Sequence, residues 1–464
     1  MVKYEQFRGR IVNKFAQGIG LSVGRDSWEN PVTVGGRGQV FRASFGRPLD
    51  KFARAGRTAG AHERVIDMRV LQLGVGSVGE VTSRTMAPDP DVSCVVLADV
   101  DEQRLGEVAA KLPPGKVETL PLDATDKEAL VKALTGVELC FNALIPEYNL
   151  DIMAACVETG TNYLDMAAAG PRDVVGTADV DEEIALDGEF KKKGLTALVF
   201  FGIDPGASDV FARALYDQFD TVERLTVLDG DNSSVDGVDF APSFSPTTMV
   251  EECLILPPHA FENGKKIRRT SLTTTREFDF PAPVGKLKVW NVDHEEAQLM
   301  PMFLSAKGLR DADFFIALDD QWVNLLLTWR KLGFDHNKEI EFEGARFRPL
   351  DLLVSRLPKS VDLIGRMHGA VCVGALADGT IAGKRVRRYM YQITSHDEAF
   401  RTMGVQGTGY QTGIPAACGA LLLAKGIFSK PGVYAPEQIE PAPFLELMTQ
   451  HGAPWGVVDL SLDQ

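Results

Sequence analysis

The stretch Met68-Arg69-Val70-Leu71-Gln72-Leu73-Gly74-Val75-Gly76-Ser77-Val78-Gly79 carries the reading of the fold. Its first six residues are an apolar run rich in strand formers, and the run stops at a glycine cluster. Ser77 to Met86 is predicted to be a helix, terminated by Pro88 and Pro90. A second apolar run, Val92 to Ala98, ends at Asp99. The G-x-G-x-x-G pattern therefore sits between a strand and a helix with another strand behind it, the context that makes it a dinucleotide signal. Gly74 permits the tight turn, Gly76 lets a diphosphate approach the backbone, and Gly79 lets the helix pack close to the strand. Amides at Ser77 and Val78 then point at the phosphates from a helix start. Asp99 lies 20 residues after Gly79, where a carboxylate accepts the adenosine ribose hydroxyls. It would repel a 2′-phosphate, so NAD is expected, with NADP as the alternative.

Alternation of strand and helix continues beyond Asp99. Thr125-Asp126-Lys127-Glu128 reads as a capping box opening a helix to Leu134. Val137 to Asn142 and Tyr163 to Asp165 read as strands, Asn149 to Thr159 and Asp179 to Lys193 as helices, and Leu195 to Phe201 as a further strand. This predicts an α/β fold, a doubly wound parallel sheet of the Rossmann type. Ligands in such sheets bind beyond the C-terminal strand ends. Asn142, Ala143, Leu144, Asp165 and the loop Gly202-Ile203-Asp204-Pro205-Gly206 are thereby placed near the cofactor. From about Phe211 the pattern changes to alternating strands, among them Val222 to Asp229, Thr273 to Phe280 and Lys286 to Val292. A second, mixed α+β substrate domain is expected there. The small-residue apolar run Pro415 to Lys425 is predicted to be a helix that returns to the nucleotide domain, and Glu437 to Gly452 to contain another. The expected organisation is an extension over 1–67, a dinucleotide-binding domain over 68–205, a substrate and dimerisation domain over 206–409, and C-terminal helices over 410–464.

Composition limits the function classes. The 464 residues are 45% hydrophobic and 24% charged, an ordinary globular balance. The net charge of −15 disfavours nucleic acid as a partner. Residues 1–67 carry twelve Lys or Arg against six Asp or Glu, yet show no sustained helical or strand period. They read as a poorly ordered extension, or as an upstream start with Met68 the natural first residue. No apolar run is long enough for a membrane span. Six scattered cysteines without a C-x-x-C pair predict reduced, buried thiols and a cytoplasmic setting.

Five stretches carry a resemblance to a known family: Leu73 to Gly79, Gly202 to Gly206, Glu277-Phe278-Asp279-Phe280-Pro281 with Gly285-Lys286, Asp293-His294-Glu295-Glu296, and Tyr410-Gln411-Thr412-Gly413-Ile414-Pro415. In these the chain, from Met68 to near its end, resembles the saccharopine dehydrogenase family, in the branch that includes carboxynorspermidine synthase. The resemblance implies oxidoreduction at the C–N bond of a secondary-amine amino acid. In that chemistry an amine and a carbonyl condense to an imine, and a nicotinamide supplies hydride. It also implies small-molecule amine and carbonyl partners and a homodimer. For the polyamine branch it implies NADPH, against which Asp99 stands. A lysine 6-dehydrogenase and a non-catalytic dinucleotide-binding regulator are the competing readings.

Imine chemistry needs a proton shuttle and groups that hold an amine and a carboxylate. His294 is the expected acid/base, with Glu295 among the acidic neighbours that would keep it protonated. Asp165 and Asp204, on strand-end loops, are the expected amine binders. Arg172, Arg268, Arg269 and Arg276 compete for the carboxylate. No metal is expected. His294-Glu295-Glu296 starts like H-E-x-x-H but meets Gln298, and His396-Asp397-Glu398 meets Phe400.

Overall fold

The computed structural model describes residues 68–168, 180–238, 244–336 and 338–462. The readings of residues 1–67 and of Arg172 lie outside that range. One sheet has seven strands in the order Gly432–Tyr434, Thr196–Leu198, Asn162–Leu164, Leu139–Asn142, Met68–Leu73, Val92–Asp99, Val117–Pro121. All its pairings are parallel. Met68–Leu73 is flanked by the strand that follows it and by the fourth strand, so the connections reverse direction beside it. That reversal opens a crevice at the strand's C-terminal end, and the glycine loop lies there.

Sequence and structure agree where the signal is local. The helices Ser77–Met86 and Asn149–Thr159 have the predicted bounds. Gly160 closes the second in the left-handed region, at φ 80°. Two details differ. The cap before Lys127–Leu134 is Asp126, which accepts from Ala129 N at 3.1 Å, while Thr125 is held by Asp123. The run from Asp179 yields two helices, Val180–Ile184 and Asp187–Lys193. The second starts at Asp187, which accepts from Val433 N on the neighbouring strand.

The second sheet is mixed and has nine strands. Its centre is Thr221–Asp231, paired parallel with Asp311–Ala317 and antiparallel with Ala370–Ile381. The long hairpin Ala370–Ile381 with Lys384–Ser395 has no counterpart in the sequence reading. Its first strand is buried along nearly its whole length, so it shows no in-out alternation. The C-terminal stretch serves both sheets. Gly432–Tyr434 extends the parallel sheet, whereas Trp455–Leu460 extends the mixed one. The apolar helix runs Gly407–Ala424, starting well before Pro415. It packs on Ser77–Met86 so closely that a Cβ on Gly413 would lie 2.6 Å from Val81 Cβ.

Buried Glu80 ties the nucleotide helix to its surroundings. It bonds Arg84 at 2.9 Å, Arg104 at 2.6 Å and Lys111 at 2.7 Å. Burial opposes its charge, but Lys111 and Arg104 outweigh burial and hold the carboxyl below its usual range. Removing one partner of a buried pair leaves the others uncompensated. Glu80→Ala is expected to cost about 3 kcal/mol, near the low end for such losses because the cations keep access to solvent. Denaturant unfolding at neutral pH measures it. The depressed carboxyl contributes above its unfolded range and is lost as pH falls through its folded one, so the difference from wild type shrinks in acid.

Candidate active site

The glycine loop is held by side chains that no motif names. Gln72 is fully buried; its Nε2 donates to Gly74 O at 3.0 Å and Gly79 O at 2.8 Å. Its Oε1 accepts from Thr82. Gly74 has φ +92°, and a Cβ there would lie 2.8 Å from Ala143 O. A Cβ on Gly79 would collide with Gly74 O, whereas one on Gly76 would meet nothing within 4 Å. The loop is thus closed where it meets protein and open where a diphosphate would approach. Ser77 Oγ at the helix start is buried without a partner. Asp99 accepts from Val75 N at 2.9 Å and from Asp101 N at 3.0 Å, which orients both sides of the crevice. These residues fit a dinucleotide.

Gly76, Ser77, Val78 and Gly79 open into a cavity of about 350 Å³ that continues to the mixed sheet. Ala143 lines it. Asn142 does not: its amide donates to Asn149 and Tyr163 behind the wall, and its Oδ1 accepts from Leu144 N. Gly74 and Asp99 also lie outside the cavity lining. Of the arginines named for the carboxylate, Arg268 bonds Pro257 O, Arg269 pairs with Glu262, and Arg276 pairs with Asp313; none lines the cavity.

The cavity does bring Asp165, Asp204, His294 and Glu295 together. His294 follows the strand Gly285–Asn291 and precedes the helix Glu296–Phe303. Its ring stacks on Phe314, with centroids 4.0 Å apart and planes 14° apart. Nδ1 lies 2.6 Å from Glu296 Oε2 and 3.3 Å from Glu295 Oε2. Glu296 is in turn held by Ser208 Oγ, and Glu295 by Ala168 N. Burial alone would lower the His294 pKa, but Glu296, Glu295 and Glu252 together raise it well above the ordinary imidazole value. The carboxyls thus favour the imidazolium form, and no described residue bonds Nε2. His294, Glu295 and Glu296 present ligand atoms within 4.8 Å of one another, a spacing a cation could use. Nδ1 faces Glu296 Oε2 as its hydrogen-bond partner.

Two further acids line the same cavity and were not singled out in the sequence. Asp229 stands near the end of the strand Thr221–Asp231. Glu252 lies in a π-helical turn, Glu251–Ile255, a form of helix that recurs at functional sites. The signal was an acidic pair inside the apolar run Met249 to Ile255. Burial pushes both carboxyls up to about 8, with Asp231 adding to the effect at Asp229. Burial, then Asp229, pushes Asp204 well above the carboxylate range. Burial also raises Glu295, and raises Asp165 to about 6 although Asp165 accepts from Phe200 N and Asn149. Asp204 precedes a cis peptide bond at Pro205 and lines the cavity wall. Five carboxyls thus share one cavity, and among the described residues no Lys or Arg lines it.

Comparison with known proteins follows the same division. Residues 70–198 match the saccharopine dehydrogenase NADP binding domain, and residues 202–453 match the saccharopine dehydrogenase C-terminal domain. A carboxynorspermidine synthase of Vibrio cholerae is 31% identical over 416 residues, covering 86% of this chain and 98% of that protein. A carboxyaminopropylagmatine dehydrogenase of Synechocystis sp. is 30% identical over 390 residues, covering 83% and 96%. The apo saccharopine dehydrogenase (L-Glu forming) of Saccharomyces cerevisiae shares the fold, with a TM-score of 0.66 at 16% identity over 85% of this chain and 100% of that one. This chain belongs to the saccharopine dehydrogenase family.

Proposed function

We propose that this protein is an NAD(P)-dependent oxidoreductase that joins a cationic amine to an amino-acid carbonyl compound through an imine, giving a carboxylated polyamine-like secondary amine. The observation that carries this reading is the acid-lined cavity beside the glycine loop. A diamine brings positive charge to five carboxyls that are too crowded and buried to ionise together. A saccharopine-type product, with its several carboxylates, would meet an excess of like charge. The names of the Vibrio and Synechocystis relatives point to the same chemistry.

The nicotinamide, when bound, supplies hydride to the imine carbon. His294 holds a proton on Nε2 for the hydroxyl that leaves when the imine forms. Glu296 fixes the ring and its charge. Asp204, Asp229 and Glu252 hold the ammonium at the far end of the amine, and the reacting amine adds to the carbonyl in its neutral form. Loss of NAD(P)H absorbance tests the reading. Diaminopropane, putrescine, agmatine, lysine and glutamate are each paired with aspartate semialdehyde, aminoadipate semialdehyde and 2-oxoglutarate. Turnover confined to diamine or agmatine pairs is expected. Reduction of NAD(P)⁺ by lysine alone, or dinucleotide binding with no turnover of any pair, would defeat it.

NAD is the proposed cofactor, because Asp99 is positioned at the end of the second strand. Fluorescence titration is expected to show tighter NADH than NADPH binding, a preference that narrows by about tenfold in Asp99→Ser as one carboxylate–phosphate repulsion disappears. We further propose a cytoplasmic homodimer. All six cysteines are buried free thiols, as a reducing compartment allows. Leu332, Ile340, Phe342 and Leu352 are exposed large apolar side chains that a subunit contact would cover.

A further inference from the structure

We propose that the start of the helix Gly407–Ala424 seats the α-amino-acid head of the carbonyl substrate, its carboxylate on the helix amides and its ammonium on two glutamine carbonyl oxygens. This rests on the function proposed above, which requires an amino-acid group in a cavity that no described Lys or Arg lines.

The first amides of a helix have no partner within it and carry the positive end of its dipole. Here the first is already spent: Gly407 N donates to His396 Nδ1 at 2.9 Å, and His396 Nε2 lies 2.6 Å from Ser233 Oγ. Accepting that amide requires a neutral imidazole, and burial lowers the His396 pKa in keeping. Thr408 and Gly409 come next, and both line the cavity. No described group accepts from their backbone amides.

A second, independent observation points to a ligand. Gln406 is 2% exposed and Gln411 is fully buried, and both line the cavity. The Oε1 atom of each has no hydrogen-bond partner, and neither does Thr408 Oγ1. Gln411 cannot use its other end for this, because its Nε2 is held by Val371 O and Gln392. Leaving such groups buried and unpaired is costly, so a cluster of them on one wall is a ligand's complement. Hydroxyl and amide donors suit a carboxylate, and carbonyl oxygens suit an ammonium. An amino-acid zwitterion needs both. A Cβ on Gly409 would collide with Ser77 Oγ, so this seat adjoins the phosphate-facing helix start without merging with it.

The test compares aspartate semialdehyde with 3-aminopropanal, which lacks only the carboxylate, against one fixed amine. Wild type is expected to favour the carboxylated aldehyde in kcat/KM. Thr408→Val is expected to shrink that ratio by at least about tenfold, as expected for a lost hydrogen bond to a charged group. Thr408→Ser, which keeps the hydroxyl, is expected to retain the ratio even if the valine variant does not fold. NAD(P)H titration is run in parallel. An unchanged ratio in Thr408→Val, a collapsed ratio in Thr408→Ser, or a matching loss of NAD(P)H affinity in Thr408→Val would overturn this assignment while leaving the overall function standing. A wild-type enzyme that turns over neither aldehyde would remove both.

Discussion

His294→Gln is expected to lower kcat by about 10²–10⁴-fold, the range for losing a positioned general acid, with NAD(P)H affinity retained. The geometry sets this expectation. Nδ1 is pinned to Glu296 and the ring is stacked on Phe314, so Nε2 has one direction in which to deliver a proton. Glutamine preserves polarity and approximate size but donates no proton at neutral pH. The pH profile separates this role from a packing role. Because the acidic carboxyls hold the imidazolium well above its ordinary pKa, the active acid form persists at neutral pH and is lost only as pH rises through that raised value. Glu296→Gln removes the nearest of those charges, and the alkaline limb of kcat should then move to lower pH. An unchanged profile in Glu296→Gln, or near wild-type turnover in His294→Gln, would take the histidine out of the mechanism. Both variants need a folding check, since Glu296 is buried and also bonded to Ser208.

The second large effect belongs to the acids. Asp229→Asn and Glu252→Gln are each expected to raise the KM for the amine by about 10- to 100-fold, the loss of one hydrogen bond to a charged group. The carbonyl partner's KM should move much less. Both carboxyls ionise near 8 in the free protein. Below that pH they are neutral and attract an ammonium weakly, and above it they are charged, so kcat/KM for the amine rises as pH rises through about 8. The double variant should lose this rise. Stability runs the other way. A carboxyl whose folded pKa is raised favours the folded state at low pH, and that contribution disappears as pH climbs from the unfolded value through the folded one. Neutral isosteres avoid that loss, so the ligand-free double variant should melt higher than wild type above pH 8. Adding diamine should reverse the order, because only wild type gains the ion pairs. Equal melting with and without diamine in both proteins would show that these acids do not hold the amine.

The cluster also explains why its members were unequally visible. His294 and Glu295 are adjacent to one another in a motif, and Asp165 and Asp204 follow recognisable strands. Asp229 and Glu252 carry no spacing that links them to His294. Asp229 reaches it because Thr221–Asp231 pairs with Asp311–Ala317 and with Ala370–Ile381, strands far away along the chain, and Glu252 because its backbone carbonyl accepts from Asp293 N. The arginines proposed for the carboxylate show the opposite case. Arg268, Arg269 and Arg276 belong to the right half of the chain, but each is committed to a partner outside the cavity. Nothing in their sequence neighbourhood states where those side chains end up.

The sequence alone determined the nucleotide crevice. Strand, glycine turn, helix and second strand are consecutive; Gly79 answers a steric demand made by the loop itself, Gly74 one made by Ala143 beside it, and Gly76 leaves the approach open. Local patterns suffice when the contacts are local. Only the tertiary structure decided the substrate side. Its carboxyls, histidine and glutamines come from segments between Asp165 and Thr412, gathered by a buried hairpin without alternation and by a helix packed on the nucleotide helix. Burying several acids around one cavity then raised their pKa values, and that shift arises from assembly rather than from any residue by itself.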